Sequence, residues 1–129
     1  MPGVTILDGP PPLPFGSAVE VEVACRAVAA GLGLTATFRR SNHEGDLVDW
    51  IHQEGAAVQA GRSIGAVLNQ GALSSVALHD AIVEVGLPVV EVRLSTDGAL
   101  RRGCPAARGL IAGFGVHGYV LAIRALALF

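Results

Sequence analysis

The sequence predicts a doubly wound α/β domain, a three-layer sandwich in which a five-stranded parallel sheet of order 2-1-3-4-5 carries helices on both faces. Three observations predict it. Short apolar runs recur five times along the chain, and four of them are followed by a helical pattern. Residues 64–68 form an apolar run without a polar interruption, as a strand covered on both faces requires. Hydrophobic residues make up 51% of the 129 residues and charged ones 16%, an apolar surplus that suits a sheet buried on two sides and further burial between subunits. The length fits one domain spanning residues 1–129.

The elements follow in order. Residues 4–7 are the first strand, closed by Asp8-Gly9 and by Pro10, Pro11, Pro12, Leu13 and Pro14, whose prolines cannot supply the amide hydrogens of a ladder or helix. From Ser17, a candidate cap, Val19, Val23, Ala24, Ala27, Val28 and Ala30 fall on neighbouring turns, until Gly31 and Gly33 stop the helix. Residues 34–38 alternate as the second strand. Residues 40–52 then turn on a polar corner and open a helix from about Glu44, with Leu47, Trp50, Ile51, Ala57 and Val58 inward and Gly55 weakening its middle. After the third strand, Asn69-Gln70-Gly71 leads into a helix bearing Val76, Ala77, Ala81, Ile82 and Val85, which Gly86 ends ahead of Pro88. Residues 89–94 are the fourth strand, 109–114 the fifth and 116–128 the last helix.

Composition excludes several functions. A net charge of −2 without a basic run excludes nucleic acid as a partner. Cys25 and Cys104 stand alone, without metal spacing, and fit a reduced intracellular chain. No basic leader and no apolar stretch of membrane-spanning length occurs, so a cytoplasmic protein without membrane contact is expected. His43, Glu44, Asp46, Asp49 and His52 fall within ten positions, yet the carboxylates Glu44 and Asp46 belong to a first helical turn, where they oppose the macrodipole. That corner is a solvated helix start, and no metal site is expected.

Ser41-Asn-His-Glu-Gly-Asp-Leu-Val-Asp-Trp-Ile-His52 closely resembles the signature of the type II 3-dehydroquinate dehydratases, small flavodoxin-like enzymes of the shikimate and quinate pathways. The likeness continues through Ser75-Val-Ala-Leu-His-Asp-Ala81, Leu87-Pro-Val-Val-Glu-Val-Arg-Leu-Ser95 and Ala107-Arg-Gly-Leu-Ile-Ala-Gly-Phe-Gly115 to Gly118-Tyr119. The resemblance implies a flavodoxin-like fold, a cofactor-free hydro-lyase with a small-molecule ligand, and self-association as trimers stacked into a dodecamer.

In a doubly wound sheet ligands collect beyond the carboxyl ends of the strands where the winding reverses, which directs attention to the loops after Leu7, Leu68 and Leu94. The family reaction removes water from a hydroxylated ring ketone through an enolate, and needs a base, donors for the enolate oxygen and an acid for the departing hydroxyl. The resemblance places the base, a Tyr, and its Arg helper on the first loop. Here that loop reads Gly9-Pro-Pro-Pro-Leu-Pro-Phe-Gly16, is shorter, and has neither. Pro11 stands where the family has an Asn. In the third-strand loop, Asn69-Gln-Gly-Ala-Leu-Ser-Ser75 keeps the family's Asn and lacks its substrate-binding His; at the fourth strand Arg93 replaces the proton-donating His. A guanidinium stays protonated and can only hold an anion or pair with Glu91, two positions back on the same face.

The candidate catalytic residues are therefore Arg93 as electrophile, with Glu91 or Asp80 as base; Asp80 also matches the family Asp that reaches a neighbouring subunit's site. The candidate substrate-binding residues are Asn69, Gly71, Leu73, Leu94, Ser95, Pro11 and Arg102, with Arg101 as the alternative clamp. For Asn69 the competing reading is a helix-capping turn residue, and for Glu91 with Arg93 a partly buried structural pair. Tyr119 reads as core or interface, and His43, His52, His79 and His117 as dispersed surface or interface residues. Loss of the proton-transfer groups, together with the apolar Pro10, Pro11, Pro12, Leu13, Pro14, Phe15 and Leu73, leads to the expectation of a lyase, dehydratase or cyclase recruited to a different, less polar metabolite. The alternative is a non-catalytic binding or assembly member, with 3-dehydroquinate dehydration itself placed last.

Overall fold

The structure, a computed structural model, describes residues 1–11, 13–73, 75–95 and 103–129, without the side chain of Phe15. The described residues form five strands and four helices: β1 (Gly3–Asp8), α1 (Phe15–Gly31), β2 (Thr35–Arg40), α2 (Glu44–Gln59), β3 (Ser63–Asn69), α3 (Val76–Val85), β4 (Val89–Arg93), β5 (Gly109–Ala112) and α4 (His117–Leu126). The sheet runs β2-β1-β3-β4-β5, and every neighbouring pair is parallel. The fold is flavodoxin-like.

Alternation along the strands divides the core in two. Val4 and Ile6 of β1, Val67 of β3 and Val90 and Val92 of β4 face α1 and α4, and pack with Val21, Cys25, Tyr119, Ala122 and Ile123. Leu7, Ala66, Leu68 and Val89 face the other way, onto Leu47 and Ile51 of α2 and Leu78 and Ile82 of α3. Leu47 and Ile51 are wholly buried, and each contributes roughly 1.5–3 kcal/mol of apolar burial.

The helices depart from the pattern read in the sequence at definite places. α1 begins at Phe15, with Pro14 as N-cap and no side-chain cap, so Ser17 lies inside the helix. Its buried stripe is Val21, Cys25, Val28 and Ala29, whereas Val19 and Val23 are exposed; Cys25 is the apolar anchor, and taking it as one rotates the inward face. In α3 Val76 is exposed and Leu78 is core. Gly55 does not weaken α2 idly, because a Cβ there would lie 2.6 Å from Val85 Cβ. The missing side chain lets α2 and α3 close on each other. Gly86 caps α3 in the left-handed conformation, φ 63°, which a residue with a Cβ resists. β5 and α4 are each shorter than the sequence suggests, because residues 113–116 turn between them.

Candidate active site

Two polar groups occupy the carboxyl edge of the sheet, one on each face. The first grows from strand register. Asp8 lies opposite Arg40 of β2 and opposite Asn69 of β3, so three polar residues form one row across the strand ends. Their side of the sheet is the α4 side. There the buried Tyr119 hydroxyl donates to Asp8 Oδ1 at 2.8 Å and accepts from Asn69 Nδ2 at 2.9 Å. Asn69 Oδ1 accepts from the Gly71 amide at 2.9 Å. Arg40 Nε stands 3.4 Å from Asp8 Oδ2, and Arg40 Nη1 donates to Glu22 Oε1 at 3.2 Å. Burial raises the Asp8 carboxyl above its ordinary value, against the lowering effect of Tyr119 and Arg40. Burial and the neighbouring Asp8 likewise push the Tyr119 phenol well up, so it stays protonated. A cavity of about 290 Å³ opens beside Asp8, Gly9, Arg40, Ser41 and Asn42.

The second group lies on the α3 side. Glu91, 2% exposed, faces it from β4. Its Oε2 accepts from Gln70 Nε2 at 3.0 Å and its Oε1 from the Cys104 amide at 2.7 Å; Arg93 Nε is 3.7 Å from Oε2. One carboxylate thus holds the loop after β3, the segment entering β5 and the guanidinium together. Above it is a cavity of about 240 Å³ lined by Gln70, Ser75, Val76, His79, Gly103, Cys104 and Pro105. Among the described residues, His79 Nδ1 is buried there without a hydrogen-bond partner. The Cys104 thiol is raised by burial, which keeps it in its neutral form. Gly71 fixes the loop below, with φ +61° and no room for a side chain against Pro10.

The residues expected from the sequence fall on both sides of this edge. Glu91 and Arg93 come together, with Gln70 between the loops. Asn69 is turned instead toward α4, where it both closes the Gly71 turn and meets Tyr119; Ser75, not Asn69, caps α3 by accepting from the Leu78 amide at 3.1 Å. Leu73 packs against the α2 and α3 core, and Leu94 against the α1 and α4 core. Ser95, Pro11 and Asp80 are exposed. Arg101 and Arg102 lie outside the described residues, as does Pro12. Sequence reasoning missed Asp8, Gln70 and the placement of His79 in a cavity wall. The available signal was Asp8 itself, a carboxylate directly following an apolar strand. At the corner after β2, Ser41 Oγ donates to Asp46 Oδ2 at 2.5 Å and accepts from the His43 amide at 2.9 Å, which knits the helix start to itself. Among the described residues no three His, Cys, Asp or Glu side chains converge as a metal site.

The family model for class II dehydroquinases matches residues 14–127. The chain belongs to the class II dehydroquinase family. Among its relatives, a 3-dehydroquinate dehydratase of Variovorax paradoxus (strain S110) is 42% identical, over 97% of this chain and 92% of that protein. One of Chelativorans sp. (strain BNC1) is 50% identical, over 84% of this chain and 77% of its own. The crystal structure of the type II dehydroquinase from Propionibacterium acnes superposes with a TM-score of 0.82 at 27% identity, covering all of both chains.

For this dehydroquinase-family chain, those relatives overturn the expectation of an enzyme recruited to a different, less polar metabolite, and the non-catalytic alternative with it. Proteins sharing 42% and 50% of their residues with it carry the name 3-dehydroquinate dehydratase. The likeness extends over most of the chain, whereas the expectation was drawn from a few side chains in three loops. Gln70, Ser75 and His79 line the cavity, with Glu91 beneath. Val76, Cys104 and Pro105 share that lining with the three polar residues, and no residue of the proline-rich loop is among those that line it. Among the described residues no helix is long and apolar enough to cross a membrane.

Proposed function

We propose that the protein is a 3-dehydroquinate dehydratase, converting 3-dehydroquinate to 3-dehydroshikimate by loss of water, without a cofactor. The identity of 42–50% with proteins of that name, over most of the chain, carries this reading. The substrate is an anionic ring ketone that lies over the strand ends. Arg93 acts by charge, its guanidinium holding the ring carboxylate or the enolate oxygen as it forms. Glu91 has both oxygens engaged by Gln70 and Cys104 and is a positioning residue for Arg93. His79, the imidazole on the cavity wall, is the proton carrier. It takes the proton from the carbon beside the carbonyl, and the bonding pair moves to the carbonyl oxygen. As the enolate collapses, the departing hydroxyl takes that proton and leaves as water, and the imidazole is neutral again.

Asn69 keeps one N–H and one lone pair for a ring hydroxyl. Gly71 and Leu73 shape the floor, the Leu94 and Ser95 amides and Pro11 border it, and Arg102 or Arg101 completes the anion clamp. The exposed Asp80 on α3 reaches the site of a neighbouring subunit in a trimer, four of which stack as a dodecamer in the cytoplasm. The 129 residues act as one domain.

The test is incubation of the purified protein with 3-dehydroquinate while the ultraviolet absorbance of the conjugated product is followed. Turnover is expected, and His79→Gln lowers kcat by about a hundredfold or more. A protein that leaves 3-dehydroquinate unchanged overturns the reading. Full activity in His79→Gln overturns the role of that residue.

A further inference from the structure

The row at the strand ends has a direction. A carboxylate can only accept, so the Tyr119 hydroxyl spends its single hydrogen on Asp8. The phenol oxygen can then only accept from its other neighbour, and Asn69 must turn its NH2 toward it. That leaves Asn69 Oδ1 on the side of the Gly71 amide, which donates to it. Each link dictates the polarity of the next, from a carboxylate 3% exposed to an amide at the edge of the sheet. The backbone continues the tie, because the Gly9 amide donates to the Asn69 carbonyl at 2.8 Å.

We infer that Tyr119 and Asp8 are positioning residues that fix which way the Asn69 side-chain amide faces a bound substrate. This rests on the dehydratase reading. Neither side chain touches the substrate: Tyr119 is wholly buried and Asp8 nearly so. They set the donor and acceptor pattern that Asn69 offers to a hydroxylated ring. A reversed amide presents an acceptor where the substrate needs a donor, which weakens binding of ground state and transition state alike. Arg40 Nε, 3.4 Å from Asp8 Oδ2 on the neighbouring strand, favours the carboxylate form that sets this direction.

The experiment is a double-mutant cycle in steady-state kinetics on the full chain, with Tyr119→Phe, Asn69→Ala and the pair, and Asp8→Asn alongside. Tyr119→Phe raises KM for 3-dehydroquinate about five- to tenfold, the worth of one hydrogen bond, with kcat within about a factor of two. In the Asn69→Ala background it has no further effect, because Tyr119 acts only through Asn69. Asp8→Asn keeps size and packing yet lets the phenol direction reverse, and it raises KM in the same way. Additive effects of Tyr119→Phe and Asn69→Ala overturn the inference, as does an Asp8→Asn enzyme with unchanged KM. In both of those cases the dehydratase reading stands. A wild-type protein without turnover overturns both.

Discussion

Replacing Glu91 by Gln tests whether one buried carboxylate organises the edge of the site. In the wild type the two oxygens accept from Gln70 Nε2 and the Cys104 amide, and Arg93 Nε lies 3.7 Å away. With Gln at this position the remaining oxygen can satisfy either Cys104 or Gln70. Whichever it serves, the new NH2 faces a donor, and the negative charge 3.7 Å from Arg93 Nε is gone. Gln70 could turn its amide over, but its Oε1 then leaves the Ser75 amide, 3.5 Å away. An unsatisfied buried donor costs about 1–3 kcal/mol, and a hydrogen bond to a charged group is worth about 1.5–3. Taken together, about 3 kcal/mol of stability is lost, a large part of the roughly 5–15 available to a domain of this kind. Glu91→Leu, which leaves both donors unanswered and takes away the carboxylate beside Arg93, costs about 3–5 kcal/mol. Urea unfolding followed by circular dichroism, at one fixed protein concentration, reads the difference. With a slope of about 2 kcal/mol/M, Glu91→Gln shifts the midpoint by about 1.5 M. A shift worth less than about 0.5 kcal/mol, the level of an ordinary surface substitution, refutes the clamp.

Other outcomes follow from the same structure. Ser75→Ala removes the cap on α3 and lowers stability by about 1 kcal/mol in the same urea assay, since Ser75 Oγ accepts from the Leu78 amide. Asp8 has a folded-state pKa raised from 3.8 by burial. The folded chain therefore holds that proton more tightly than the unfolded one, and the associated stability is fully present below pH 3.8 and lost as pH rises through the raised value. Asp8→Asn cannot titrate, so its stability relative to wild type improves between about pH 4 and neutrality; unfolding curves that stay parallel across that range contradict the shift. The Cys25 thiol, fully buried, is pushed up to about 12 by burial and by Asp8. Iodoacetamide followed by mass spectrometry labels Cys104, at the cavity wall, before Cys25, which reacts only on unfolding.

Much of the fold was legible because each element carries its own signal. The unbroken run in β3 and the Gly86-Leu87-Pro88 stop after α3 are local facts, and both are where periodicity puts them. The inward face of α1 was not legible in the same way. Its mean apolar content is high all round, with Val19 and Val23 exposed as Val21 and Cys25 are buried. Only the position of β1 and α4 decides which side turns in.

The site was less legible because its two halves are assigned by parity. Ending β1 at Leu7 puts Asp8 in a loop, free to point anywhere; extending the strand by one residue puts it in the row of Arg40 and Asn69, on the face opposite Leu7. The same alternation separates Asn69 from Glu91 and Arg93, which the sequence suggested would act on one ligand side by side. Asn69 follows Val67 toward α4, and Glu91 follows Val89 toward α3. A substrate served by both must therefore straddle the strand ends rather than sit on either face. The loops after β1 and β3 are tied at that edge, where the Gly9 amide donates to the Asn69 carbonyl and the Gly71 amide to Asn69 Oδ1.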